Sequence, residues 1–130
     1  MKKLATALLL STVFFTACKK DDVPTVAEKL QNKWEFQSLT EKDFTVNPPT
    51  TLTYNFPGAF IEFRSDGKVY TSGSLGANTT TYSILNDNYI LVAGDSNQIV
   101  TLTANALQLK SVDRNPNGTV AYEYSETFSR

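Results

Sequence analysis

Histidine is absent from this 130-residue chain, and cysteine, methionine and tryptophan occur once each. Without imidazole and with a single thiol there is no Cys/His set for a soft metal, and no Ser–His or Cys–His couple for nucleophilic catalysis. A lone cysteine also excludes an internal disulfide, so the fold must be held by its core. Charge is sparse and nearly balanced, with 12 basic and 13 acidic residues. Such a chain offers no basic face, which argues against nucleic acid as a partner. One long apolar run exists, Leu4–Ala17. It is shorter than the roughly 20 residues a transmembrane helix needs.

What is present at the N-terminus explains that run. Lys2 and Lys3 precede LATALLLSTVFFTA, and the small pair Thr16-Ala17 stands immediately before Cys18. This resembles a bacterial lipoprotein signal peptide with its lipobox: the apolar stretch partitions into the bilayer, the small residues fit a narrow peptidase groove, and the Cys18 sulfur takes a diacylglyceryl group. Phe15 occupies a position where Leu is usual, a large apolar residue for another. The expected division is a signal peptide over 1–17, a lipidated tether and short linker over 18–32, and one domain over 33–130. The leader holds two of the 12 basic residues, so the remainder carries three more acids than bases. A domain of this length hides roughly 65% of its unfolded surface.

Directly after Cys18 stand Lys19, Lys20, Asp21 and Asp22. The cluster resembles the lipoprotein export signal of Bacteroidota, which implies a lipid-anchored outer-membrane protein exposed at the cell surface. Read as a plain solvated spacer, the same four residues leave a periplasm-facing location open. Residues 26–32 can form a turn or two of helix, with Thr25 as N-cap and Glu28 three residues on.

Beyond Asn32 the dominant period is two. Short β-branched and aromatic runs alternate with turn residues, the pattern of an all-β sandwich or barrel. Eight strands are predicted, at 33–42, 59–65, 68–73, 78–85, 89–93, 98–103, 106–112 and 119–129. Asp66-Gly67 and Asn117-Gly118 supply tight hairpins, and Asn86-Asp87-Asn88 tolerates the left-handed region. One parity is apolar and should face inward: Trp34 and Phe36, Ile61 and Phe63, Tyr82 and Ile84, Val100 and Leu102, Leu107 and Leu109, and Val120, Tyr122, Tyr124 and Phe128. The other parity is mostly polar, as at Glu35, Glu62, Gln108, Lys110 and Glu123. Short links make sequence neighbours antiparallel neighbours, and an even meander can close and abolish its edges. The fold class expected is an eight-stranded, antiparallel, up-and-down barrel.

From Leu30 to Arg130 the chain resembles the small lipocalin-like lipoproteins of Bacteroidota. The likeness rests on Leu30-Gln31-Asn32-Lys33-Trp34 opening the first strand, on the hairpin Ile61 to Val69 (IEFRSDGKV), on Ile99 to Leu109 (IVTLTANALQL) and on Tyr124 to Arg130 (YSETFSR). Asn32 stands where the wider lipocalin family has Gly. The resemblance implies a barrel with an internal cavity that binds a small apolar or amphipathic ligand, not an enzyme.

On this frame a few side chains are candidates for function. Trp34 is either a stacking platform or, better suited to its place at the start of strand one, a plug beside Arg130. Phe36, Tyr54, Phe56, Tyr82, Tyr122 and Tyr124 are the candidate ligand-binding residues, although aromatics are ordinary in strands. Asp66, Asp87, Asp95 and Asp113 fall in predicted turns. Glu126 shares the inward parity and would be a buried carboxylate. Asp95-Ser96-Asn97 has too few hard ligands for Ca²⁺, so neither metal nor cofactor is expected. No nucleophile–base pair can be named. The alternative function is an accessory lipoprotein whose barrel is filled by its own side chains and which docks an envelope protein through its loops. The long connection 43–58, with its prolines, Tyr54 and Phe56, is expected to fold as a lid over a mouth facing away from the membrane.

Overall fold

The structure is a computed structural model, and it describes residues 23–130. Cys18 and the Lys19–Asp22 cluster lie outside the described residues. A five-residue helix α1 (Val26–Leu30) leads into nine strands: β1 (Lys33–Asp43), β2 (Thr50–Tyr54), β3 (Phe60–Phe63), β4 (Lys68–Ser72), β5 (Asn78–Asn86), β6 (Tyr89–Val92), β7 (Asp95–Leu102), β8 (Ala106–Arg114) and β9 (Val120–Ser129). All pairings are antiparallel. Each strand from β3 to β9 pairs with the next, and β1 pairs with both β3 and β9. Those eight strands close a barrel. β2 is the addition: it pairs with the upper half of β1 on the flank where β3 covers the lower half.

Local chemistry sets the boundaries. Thr25 and Glu28 form a capping box on α1: the Glu28 N–H donates to Thr25 Oγ1 at 3.2 Å, and the Thr25 N–H donates to Glu28 Oε2 at 2.7 Å. So short a helix has little stability of its own. What holds it is Leu30, fully buried, together with Trp34, whose Nε1–H donates to the Leu30 carbonyl at 3.0 Å. The β3–β4 hairpin turns at Gly67, where φ is +78° and a side chain would be strained, and the Lys68 N–H donates to Asp66 Oδ1 at 3.0 Å.

The buried apolar set is Leu30, Trp34, Phe36, Ala59, Ile61, Phe63, Val69, Tyr82, Ile90, Ile99, Leu107, Leu109 and Phe128. It fills the end of the barrel that α1 closes. Trp34 is completely buried there with the Arg130 guanidinium 5.5 Å from its ring, so it is a plug. Tyr82 belongs to the same end: its hydroxyl donates to the Arg64 carbonyl at 2.8 Å and accepts from Gln31 Nε2 at 3.3 Å.

The parity expected from sequence differs from the structure at two places, each marked by a β-bulge. Between Ile99 and Thr101 the β7–β8 register shifts, so Ile99 is buried and Val100 is 47% exposed. Between Asp113 and Arg114 the β8–β9 register slips past Ala121, which places Val120 outward while Ala121 is buried. A bulge inserts one residue and flips every side chain beyond it. The segment 43–58 also differs from a simple lid: its residues Thr50–Tyr54 form β2 and pair with β1.

Candidate functional site

Strand length makes the barrel wall uneven. β1, β8 and β9 run to 11, nine and ten residues, while β3, β4 and β6 have four or five. At the end away from α1, β2, β1, β9 and β8 therefore rise as a four-stranded wall. Register fixes its inner face. Tyr54, Leu39, Glu126 and Leu109 form the deepest row; Leu52, Glu41, Tyr124 and Ser111 the next; Thr50, Asp43, Tyr122 and Asp113 the top. Across the barrel, the inward positions Thr71, Thr80, Val92 and Asn97 are half-buried.

This face is neither core nor ordinary surface. Leu52 is 53% exposed and Tyr54 40% exposed, although both take the inward position of a barrel strand. The Tyr122 and Tyr124 rings stack with centroids 6.3 Å apart and planes 23° from parallel. Glu126 sits between Leu39 and Leu109, and burial pushes its carboxyl above the usual carboxylate range. Partial burial, followed by the neighbouring carboxylates of Asp113 and Glu41, pushes the Tyr124 hydroxyl up as well. A face with apolar, aromatic and carboxylate groups can hold an amphipathic molecule by contact and by charge.

A cleft of about 830 Å³ adjoins it. β7 and β8 pair only as far as Gln98 and Lys110, yet β7 runs on with β6 to Asp95 and β8 with β9 to Arg114. The wall is split above Gln98. Tyr124, Ser111 and Asp113 reach the cleft from the inner face, and Tyr89, Gln98 and Lys110 from the outer. A second cleft, about 510 Å³, lies where residues 55–59 cross between β2 and β3. A third, about 430 Å³, lies beside α1 against Asp87, Asn88 and Val100.

The six aromatic residues picked from sequence fall into three places. Tyr54, Tyr122 and Tyr124 share the inner face of the tall wall. Phe36 is 7% exposed, wedged edge-on between Phe56 and Phe128 at 5.2 Å from each ring, so Phe36 and Phe56 form the floor below that face. Tyr82 lies at the plugged end, its ring 5.1 Å from that of Phe63. Phe56 enters the barrel through its side, in the gap between β2 and β3. Sequence reasoning missed Leu39, Glu41, Asp43 and Leu52. The alternation of Leu52 and Tyr54 within TTLTY was the available signal for β2. Compared with models of known protein families and with curated proteins, the chain matches none.

Proposed function

We propose that this protein is a lipid-anchored lipoprotein of the cell envelope whose lipocalin-like barrel holds a small amphipathic ligand at its open rim. The observation that carries the reading is the tall wall, whose inward face leaves Leu52, Tyr54 and the stacked Tyr122–Tyr124 pair partly exposed. Such groups are costly to leave in water and are common in ligand sites. The anchor is Cys18, and the Lys19–Asp22 cluster directs the domain to the outer membrane and its surface. A second reading, an accessory subunit that docks an envelope protein, is favoured by the side-chain packing that fills the plugged half.

Native mass spectrometry of the protein from its host separates the two. A co-purified small molecule, lost in Tyr124→Ala, supports the rim site; an empty protein that copurifies in a fixed ratio with another polypeptide supports docking. Membrane attachment has its own test. Cys18→Ser should release the chain from membranes, and unchanged partitioning would remove the anchor from this reading.

A further inference from the structure

The strands sort their charges by face. Inward positions in the barrel wall hold Glu41, Asp43, Asp95, Asp113 and Glu126, and no base among the described residues. Lys33, Lys42, Lys68 and Lys110 all take outward positions, where Lys110 pairs with Glu123 at 2.9 Å and Lys33 and Lys42 lie over the rings of Phe60 and Phe44. Arg114 is drawn outward too, its Nη1 donating to the Gly118 carbonyl at 2.9 Å. A chain with almost as many bases as acids thus gives its rim interior a single sign.

We propose that the rim site takes an organic cation, a molecule with an ammonium or similar head on an apolar or aromatic body. The inference rests on the rim reading above and names its ligand class. Three features converge. First, the inward carboxylates are spread over β1, β7, β8 and β9, and among the described residues no three of them converge to hold a metal ion. Dispersed carboxylates match a bulky, diffuse cation better than a bare one. Second, the stacked Tyr124 and Tyr122 stand on β9 between Glu41 and Asp43 of β1 on one side and Ser111 and Asp113 of β8 on the other. Tyrosine faces attract ammonium groups, more strongly where water is excluded. Third, the cleft of about 830 Å³ at the split wall opens on Tyr124 and Asp113, which gives a molecule of this size access to the face. An anion of the same shape would meet inward carboxylates, while the two bases that line the cleft, Lys110 and Arg114, are held by Glu123 and by the Gly118 carbonyl.

The experiment compares three probes with one tail: 4-phenylbutyl-trimethylammonium, 4-phenylbutanol and 4-phenylbutanesulfonate. Each is titrated by calorimetry into the full-length lipoprotein in zwitterionic vesicles, with protein-free vesicles subtracted. The ammonium should bind about tenfold or more tightly than the alcohol, and the sulfonate more weakly than either. Salt should weaken the ammonium alone. Glu41→Gln combined with Asp113→Asn should narrow the gap between ammonium and alcohol and remove the salt dependence of the ammonium. The salt series on the native chain decides the matter should that variant fold poorly. Equal binding of ammonium and alcohol, or tighter sulfonate, overturns the cation and leaves the rim site standing. No binding by any probe overturns both.

Discussion

Glu62 and Phe63 are neighbours in sequence and opposites in environment. Phe63 is 1% exposed and touches Tyr82, while Glu62 faces water in an ion pair with Arg64 at 2.8 Å. Phe63→Ala should cost about 3–5 kcal/mol by chemical denaturation, a large part of a small domain's stability. Glu62→Lys should cost about 0.5 kcal/mol, since exposed ion pairs contribute little. Equal losses would show that the alternation does not set the core. Glu126 gives a pH test. Burial raises its folded pKa, so the folded state favours the protonated acid. Below the unfolded pKa there is no penalty; the penalty grows as pH rises through the folded pKa and is complete above it. Glu126→Gln should therefore raise the melting temperature at pH 7 and leave it nearly unchanged at pH 3. An equal gain at both values would mean that ionisation is not the cause.

At the scale of elements, the crossing between β2 and β3 ties the tall wall to the core. Phe56 is its fastener, edge-on to Phe36, and the Ser74 hydroxyl donates to the Pro57 carbonyl at 3.0 Å from the β4–β5 connection. Phe56→Ala should cost about 2 kcal/mol and speed amide exchange in Thr50–Tyr54 above that in β8. Uniform exchange across both strands would show that β2 does not depend on this contact. Much of this was legible in advance: all eight barrel strands, the plug at Trp34, the capping box at Thr25, the inward Glu126. Period two and turn residues report these locally. β2 was the hardest element to read, because its short alternation TTLTY lies between Pro49 and Pro57 and its pairing is decided by how far β1 outruns β3. The bulges at Val100 and Ala121 escaped for a related reason, since an inserted residue leaves the local alternation of its neighbours intact. The rim site followed from these unread features, so sequence supplied its tyrosines and not their assembly.

For the whole molecule, Val23 and α1 lie at the plugged end, which the turns at 64–67, 87–88 and 103–105 share. On the proposed anchor, the tall wall then points away from the membrane. If the cluster after Cys18 sorts the protein to the surface, replacing Lys20, Asp21 and Asp22 by Ala should keep lipidation and protect the domain from protease added to whole cells. Continued digestion would count against surface sorting. The barrel closes where its first strand meets its last, and Ser38 and Thr127 share a 2.7 Å hydrogen bond across 89 residues of chain. Closure at such a separation has a kinetic meaning. The longest described strand cannot satisfy its β9 flank until β9 has been delivered, so the barrel closes only once nearly all of the described chain is present. Folding is expected to be slow, on the order of milliseconds to seconds. Deleting residues 120–129 should leave an unfolded chain by circular dichroism, whereas Ser38→Ala combined with Thr127→Ala should fold to the same barrel and unfold faster.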